Sequence, residues 1–470
     1  MDFTKKGETA RIVASGRITY EFIPGLTASI FGSYNYDNNL SRNYYPYDTK
    51  AYRGSRGEAN VSTSRNTNAL ASAQINYNKT IGKHAISALA LAEAQNYNTW
   101  YDYSKVTGFD TNYFLFNELK AGASVKWGDI DSDATDYTLM SYLARFNYMF
   151  DNRFVITLNA RADGSSKLGA NHKWGFFPSA SAAWIVSNEN FMKGQNVINN
   201  LKVRAGYGVT GNQDAISPYR SLKLMEPNGT TTYNGSTVVT YALSSNPNPD
   251  LKWETKYTFD AGIDFAMWKD RLSGTLDVYY STTKDLLYTY TVPVPPFAYT
   301  TLLANMGTMT NNGVELALRG AVIETKDWGL TLNGNVAFNK NKLVSLSGTY
   351  NGQDLTTAKY ISLASASCNG LTSNTNVVYM TEGQPLNIFR LPVHDGFNTD
   401  ENGHKTYKFK DVNGDGGITL DDEGDREQLG QATPKVTANF TAQLRFKNWD
   451  LSTQLSGAFG HMIYNFQGNR

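Results

Sequence analysis

The 470-residue chain is poor in charge and rich in tyrosine and glycine, with 30 Tyr and 40 Gly. Charged residues make up 18% of it, against about 25% in an ordinary globular protein. The 43 Lys and Arg and 42 Asp and Glu leave a net charge of +1, which excludes a global field that would attract nucleic acid. Cys368 is the single cysteine, so an intramolecular disulfide and a CxxC site are excluded.

Apolar and polar residues alternate with a period of two along much of the chain. Tyr257, Phe259, Ile263 and Phe265 share one parity, whereas Asp260 and Asp264 share the other. This period predicts strands with one apolar and one polar face. Fourteen strands are predicted, at 9–21, 26–36, 67–78, 84–96, 138–149, 153–162, 176–186, 200–209, 253–267, 271–283, 311–320, 328–340, 434–446 and 449–463.

The length and spacing of these strands predict an all-β transmembrane antiparallel β-barrel. A tilted strand needs about 9–11 residues to cross a bilayer, whereas strands of soluble proteins usually have 5 or 6. Short connections alternate with longer ones, of which 38–66 and 341–433 are examples. In a meander this alternation places every long loop at one end, as in barrels with tight periplasmic turns and long extracellular loops. The alternative from pattern alone is a soluble β-sandwich or β-propeller.

The alternation also assigns the two faces of the barrel wall. We expect the following residues to face lipid: Tyr257, Phe259, Ile263, Phe265, Val436, Phe440, Leu444 and Leu455. We expect the following to face the lumen: Asp260, Asp264, Asn439, Gln443 and Arg445.

The segment 411–422 reads D-x-N-x-D-G-x-I with an acidic residue at position twelve. This spacing places oxygen ligands for calcium in one tight loop. The predicted ligands are Asp411, Asn413, Asp415, the carbonyl of Gly417, Thr419 through a water molecule, and Asp422, for which Asp421 or Glu423 is the alternative. The shorter Asp422 stands where an EF-hand has Glu, which predicts modest affinity. We expect a structural calcium ion in the loop 341–433; the alternative is a polar turn that binds nothing.

The remaining motifs give weaker evidence about function. Gly206–Gly211 matches G-x-G-x-x-G, but the polar, proline-interrupted residues that follow exclude the helix a nucleotide site requires. Neither a paired-histidine motif nor a catalytic motif occurs, so the sequence predicts that the protein is not an enzyme. The predicted long loops are rich in aromatic residues that suit sugar rings or an interfacial belt. These residues are Tyr34, Tyr36, Tyr44, Tyr45, Tyr47, Tyr97, Trp100, Tyr101 and Tyr103.

Several motifs over roughly 200–465 together resemble SusC/RagA-type TonB-dependent transporters. They include R-A-G-Y-G-V-T-G-N-Q at 204–213, N-P-D-L-K-W-E-T at 248–255, N-M-G at 305–307, N-N-G-V-E at 311–315, the calcium-like loop with its following Gly430 and Pro434, and G-A-F-G-H-M-I-Y-N at 457–465.

The resemblance implies a 22-stranded barrel in the outer membrane of a Gram-negative bacterium. In this family a plug domain closes the barrel, the TonB complex powers import, and a SusD-like surface lipoprotein binds the barrel from outside; the cargo is a glycan or a peptide. The fourteen predicted strands, the absence of a plug before Met1 and the polar end Gln467–Arg470 predict a partial barrel. The competing hypothesis is a secreted or surface calcium-binding protein that binds glycans without transport.

Overall fold

The computed structural model describes residues 3–49, 53–366, 375–401 and 403–465; Cys368 and the last residues 467–470 lie outside these ranges. The strands in the described part are β1 (Thr4–Ile23), β2 (Leu26–Tyr45), β3 (Glu58–Ile81), β4 (His84–Phe109), β5 (Gly122–Ser124), β6 (Ile130–Phe150), β7 (Phe154–Ser165), β8 (Trp174–Ile185), β9 (Ile198–Asn212), β10 (Leu224–Tyr233), β11 (Ser236–Ser245), β12 (Glu254–Met267), β13 (Leu272–Thr291), β14 (Thr301–Glu324), β15 (Trp328–Ser345), β16 (Gly348–Tyr350), β17 (Gln353–Leu355), β18 (Ile361–Ala366), β19 (Thr375–Met380), β20 (Ile388–Leu391), β21 (His394–Thr399), β22 (Lys405–Phe409), β23 (Glu427–Gln431), β24 (Val436–Phe446) and β25 (Trp449–Phe459).

Short 3₁₀ turns cover Arg53–Ser55, Leu119–Ala121, Val186–Asn188 and Asn190–Met192. In the described ranges no helix has the length and apolarity needed to cross a membrane.

One antiparallel sheet dominates the fold. Its order is β1-β2-β3-β4-β6-β7-β8-β9-β12-β13-β14-β15-β24-β25, with β5 paired to β4. All fourteen predicted strands are present in this meander, so the predicted fold class is confirmed. Within the described residues β1 and β25 each have a single neighbour, so the sheet is open rather than closed into a barrel.

Tight turns join strands at one end of the sheet, as the sequence predicts. Asp151 and Asn152 both adopt φ 52° between β6 and β7, and Lys269 adopts φ 58° between β12 and β13. Asn and Asp tolerate this left-handed conformation better than most residues. Gly25 between β1 and β2 has φ 88°, and a Cβ there would lie 2.1 Å from the carbonyl oxygen of Asn78. That turn therefore requires glycine.

The register separates the predicted faces of the wall. Asn439, Asn335, Ala317, Thr275, Asp264 and Lys202 are successive cross-strand partners from β24 to β9. Their neighbours Phe440, Gly334, Leu318, Gly274, Phe265 and Leu201 form the matching row on the opposite face. Cross-strand partners lie on the same face of a sheet. The sheet therefore has one polar face, here called the inner face, and one apolar outer face.

The strands are longer than predicted, which corrects the predicted loops. Most of 38–66 and 97–137 is strand, since β2 reaches Tyr45 and β4 reaches Phe109. Of the aromatic residues assigned to loops, only Tyr47 lies outside a strand. The period of two predicts a strand only where one face is apolar and the other polar. The parts of β2 and β4 beyond the predicted ends lack this difference between faces, so the pattern did not predict them.

Polar side chains on the outer face show where the apolar band ends. On β4 the outward positions change from alanine at 88–94 to Asn96 and Asn98. Asn98 Nδ2 donates to Thr67 Oγ1 at 3.3 Å, and Asn96 Nδ2 donates to Thr138 Oγ1 at 3.1 Å. Above Asn96, β4 continues for roughly 40 Å at about 3.3 Å per residue. The wall therefore extends well beyond the apolar band at the long-loop end.

Apolar clusters hold the connections at the long-loop end. Leu168, from the connection between β7 and β8, packs with Ile216 and Leu251, from the connection between β9 and β12, and with Phe177 and Trp253. A second cluster, built on Tyr44 and Phe109, fastens the connection between β4 and β6. The connection between β9 and β12 contains the hairpin β10–β11, and the described residues of the connection between β15 and β24 form eight short strands.

The first prediction concerns the two faces of β24. In the full-length receptor with Cys368→Ser, we expect Asn439→Cys and Gln443→Cys to react with a water-soluble maleimide, because they share the polar row. Phe440→Cys and Leu444→Cys should be protected by lipid. Labelling is read by mass spectrometry on intact cells and after unfolding. The opposite labelling pattern would refute the assignment of the faces.

Candidate functional site

The inner face carries a charged network across three strands. Arg204 Nε lies 3.3 Å from Asp264 Oδ1, its Nη1 lies 3.8 Å from Asp260 Oδ2, and its Nη2 bonds to Asp277. Lys202 Nζ lies 3.3 Å from Asp264 Oδ2. Asp260 and Asp264 thus lie together, as predicted for the lumen. Two cations face three carboxylates, which suits a wet polar surface rather than a hydrocarbon one.

Two buried arginines organise the connection between β15 and β24. Arg390 on β20 is 4% exposed and Arg426 is 6% exposed. The guanidinium of Arg390 lies 3.2 Å from the centroid of the Tyr360 ring, and its Nη2 donates to the carbonyl of Arg426 at 3.1 Å. Arg426 donates to the hydroxyl of Tyr379 and to the carbonyl of Leu420, both at 2.7 Å. Burial lowers the pKa of Arg390.

Asp422, a predicted calcium ligand, lies in this buried network. Its Oδ1 accepts from the hydroxyl of Tyr379 and its Oδ2 from Asn376 Nδ2, both at 2.7 Å. Its main-chain carbonyl accepts from Arg390, and Oδ1 lies 4.0 Å from Arg426 Nη2. Burial raises the pKa of Tyr379, and the hydrogen bond to Asp422 adds to the rise. The carboxylate of Asp422 is therefore already engaged with the sheet of β18, β19, β20 and β23.

The side chain of Asp425 accepts hydrogen bonds from the backbone of the loop 411–422. It is completely buried, and its Oδ1 accepts from the amide of Val412 at 2.8 Å and that of Asn413 at 3.3 Å. Its Oδ2 accepts from the amide of Thr419 at 2.9 Å. The amides of Thr419 and Val412 hold the pKa of Asp425 below its ordinary value. Asp425 lies outside the twelve-residue calcium pattern, so that pattern could not select it.

The other predicted ligands are ordered by local hydrogen bonds. Asp411 accepts from the amides of Gly414 and Gly416 at 2.6 and 2.9 Å. Asn413 Nδ2 donates to Asp415 Oδ2 at 3.0 Å, and the amide of Asp415 donates to Asn413 Oδ1 at 2.9 Å. The structure therefore brings Asp411, Asn413 and Asp415 into one turn.

The residues fit a calcium ion in part. Gly417 follows the turn and donates its amide to Asp415 at 2.8 Å, while the amide of Thr419 is held by Asp425. Among the described residues, no group of three or more His, Cys, Asp or Glu side chains is arranged to hold a metal ion. The side chains of Asp411, Asn413 and Asp415, three of the predicted oxygen ligands, are already ordered. The carboxylate of Asp422, the predicted ligand at position twelve, instead accepts hydrogen bonds from Tyr379 and Asn376. Calcium in this loop stays a prediction.

Three asparagines explain the motifs around 246–255 and 305–307. Asn246 and Asn248 are buried, and Asn248 Nδ2 donates to the carbonyl of Leu303 at 2.8 Å. Asn305 accepts from the amide of Lys252 and donates to its carbonyl, each at 2.9 Å. Side-chain amides thus replace the backbone partners that this irregular segment lacks. The motifs pin the connection before β12 onto β14, a structural role that sequence alone did not reveal.

A further polar group lies on the inner face near the long-loop end; sequence analysis named Tyr97 but missed Tyr137 and Lys167. Tyr97 on β4 and Tyr137 on β6 are cross-strand partners whose rings stack at 4.5 Å between centroids and 11° between planes. The Nζ of Lys167 lies 4.1 Å from the centroid of the Tyr137 ring. No pattern in the sequence links these three residues, because their approach depends on the sheet register.

Comparison with known proteins identifies the fold family. The family described as "TonB dependent receptor-like, beta-barrel" matches residues 3–470. TonB-dependent receptor P3 of Formosa agariphila is 31% identical, over 98% of this chain and 45% of the relative. TonB-dependent receptor SusC of Bacteroides thetaiotaomicron is 29% identical, over 96% of this chain and 42% of the relative.

A solved structure supports the same fold. The structure titled "Structure of the RagAB peptide transporter" superposes with a TM-score of 0.78 at 23% identity, covering 97% of this chain and 48% of that one. The chain spans about half the length of the curated relatives it matches. The open, two-faced sheet and the family match agree: the chain belongs to the β-barrel of the TonB-dependent receptors, a family of outer-membrane proteins of Gram-negative bacteria that are receptors and not enzymes.

Proposed function

We propose that this chain is part of a SusC-type transporter that imports glycans or peptides across the outer membrane with energy from TonB. The observation that carries the proposal is the sheet itself, with an apolar outer face, a charged inner face around Arg204 and long connections at one end. Such a wall suits a polar passage through lipid. The family match supports it, and SusC is among the relatives. A secreted glycan-binding protein would not require the exposed apolar face.

We propose that the rest of the barrel and a plug domain are supplied by other parts of a longer protein. The sheet is open at β1 and β25, and unpaired backbone groups are costly in hydrocarbon. The relatives are about twice as long as this chain. In this arrangement the plug fills the lumen and carries the segment that TonB engages.

A SusD-like lipoprotein is the proposed extracellular partner. The long connections, including β10–β11 and the described parts of 346–435, stand at one end of the wall, where a surface protein can meet them. The RagAB structure that shares this fold is described as a peptide transporter, and SusC is among the relatives; both likenesses support the proposed transport role.

Uptake in whole cells tests the proposed transport. Cells with the receptor, cells lacking its gene and cells lacking TonB are offered fluorescent neutral glycans, acidic glycans and peptides. We expect uptake of at least one class only when both receptor and TonB are present. We also expect a surface lipoprotein to copurify with the receptor. Equal accumulation in all three strains for every class would contradict the proposal.

The second prediction concerns orientation. An epitope inserted at Asn234–Gly235, the tip of the β10–β11 hairpin, should be stained on intact cells because the long connections are proposed to be extracellular. An epitope beside Lys269, in the tight turn between β12 and β13, should be stained only after permeabilisation. The reversed staining would show that the wall is inverted in the membrane.

We further propose that the loop 411–422 binds one calcium ion of structural role, with Asp411, Asn413 and Asp415 as side-chain ligands. The Gly417 carbonyl, Thr419 through water, and Asp422 complete the predicted set. Carboxylates brought together in one turn repel one another, and a cation relieves that repulsion. Because Asp422 is engaged with Tyr379 and Asn376, its recruitment would cost those contacts, which argues for modest affinity.

The third prediction tests this set by calorimetry on the full-length receptor. We expect Asp411→Ala and Asp415→Ala to abolish calcium binding, because each removes an ordered oxygen donor. Asp422→Asn should weaken it about tenfold or less, since the buried network competes for that carboxylate. Glu401→Gln, in the same connection but outside the loop, is the control. Unchanged calcium binding in both alanine variants would place any ion elsewhere.

A further inference from the structure

Lys167 carries a largely buried ammonium group. It follows β7, is 8% exposed and makes no ion pair with any residue in the described ranges. Its Nζ lies 4.1 Å from the centroid of the Tyr137 ring. Burial lowers the pKa of Lys167, and the nearby Asp214 carboxylate opposes part of that effect. Burying an ammonium is costly unless an anion or hydrogen-bond acceptors compensate it.

The surroundings of Lys167 combine aromatic and amide groups. Tyr97 stacks on Tyr137 and lies across from Asn68 on β3. Asn68 Oδ1 accepts from Gln95 Nε2 at 3.0 Å. By the continuous register of β3, β4 and β6, these side chains share the inner face. Aromatic rings beside amides suit a sugar ring, which is apolar on its faces and polar at its edges.

A second buried polar group without a partner lies on the neighbouring segment. Gln213 is 7% exposed, and its Oε1 accepts no hydrogen bond in the described structure. The segments that carry Lys167 and Gln213 are held together because Leu168 and Ile216 pack in one cluster. A buried acceptor left unsatisfied costs free energy that a donor from a ligand would recover. Sugar hydroxyls are such donors.

We propose that Lys167, Tyr137 and Tyr97 form a subsite for an acidic oligosaccharide, with the Lys167 ammonium on the sugar carboxylate. The proposal rests on the proposed transport function and deepens it, because it names the charge of the cargo. The subsite lies on the inner face beside the connections at the long-loop end, so a cargo entering from that end meets it. Ion pairing with a partly desolvated ammonium is stronger than pairing in open water.

The fourth prediction uses matched charged and neutral probes. Tetramers of galacturonate, of mannuronate and of glucuronate, each with its methyl ester, are titrated into the purified full-length receptor. We expect at least one acid to bind at least tenfold more tightly than its ester. Lys167→Gln should remove that difference, and Tyr137→Leu should weaken acid and ester alike. Lys173→Gln, at an exposed lysine of the same connection, should behave as the parent does.

Thermal unfolding separates a ligand role from a structural one. If Lys167 serves a ligand, Lys167→Gln should keep or raise the unfolding temperature, because an unpaired buried charge is removed. A lowered unfolding temperature with no effect on acid binding would overturn the subsite and leave Lys167 as a packing residue. Equal affinity for acid and ester with all three sugars would also overturn it, as would tighter binding of an acidic peptide such as tetraglutamate.

The same measurements keep the two proposals apart. TonB-dependent uptake of some other cargo, without charge-dependent binding, overturns the subsite and leaves transport standing. Charge-dependent binding without TonB-dependent uptake supports the subsite and overturns transport.

Discussion

The need to satisfy every backbone hydrogen bond inside a lipid bilayer governs this structure. Water is absent from the hydrocarbon, so extended segments can cross it only when each pairs with its neighbours. The meander of fourteen strands provides that pairing, and the alternation of side chains then follows from strand geometry. One row, represented by Phe440 and Leu318, forms the apolar face, while the row of Asn439 and Asp264 forms the polar face. The same requirement makes the open edges at β1 and β25 the sites where further strands are expected.

Beyond the apolar band a different kind of organisation takes over. There the connections are held by polar side chains: Asn248 and Asn305 fasten one segment to β14, and the buried Arg390 and Arg426 fasten another to its small sheet. Directional bonds of this kind fix irregular backbone at the rim, where regular pairing ends. The acidic loop around Asp411 is thereby positioned by Asp425 and its neighbours.

The sequence predicted the wall well because its signal is local. Alternation along Tyr257–Phe265 and Val436–Phe446 reports which side of a strand meets lipid, and it located every strand of the main sheet. It failed on the upper parts of β2 and β4, where both faces meet water and the contrast between Asn96 and Tyr97 no longer reports a membrane. The calcium pattern likewise found Asp411 and Asp415 by spacing. It could not foresee the roles of Asp422 and Asp425, which depend on Tyr379 and other residues distant in sequence.

The most direct test of the account is an electron cryo-microscopy map of the full-length receptor in a lipid nanodisc. The account predicts that β1 and β25 each hydrogen-bond to a strand from outside these 470 residues, with Phe440 against lipid and Asn439 toward the lumen. A map in which β1 pairs directly with β25, or in which the polar row around Asp264 faces the lipid, would contradict it.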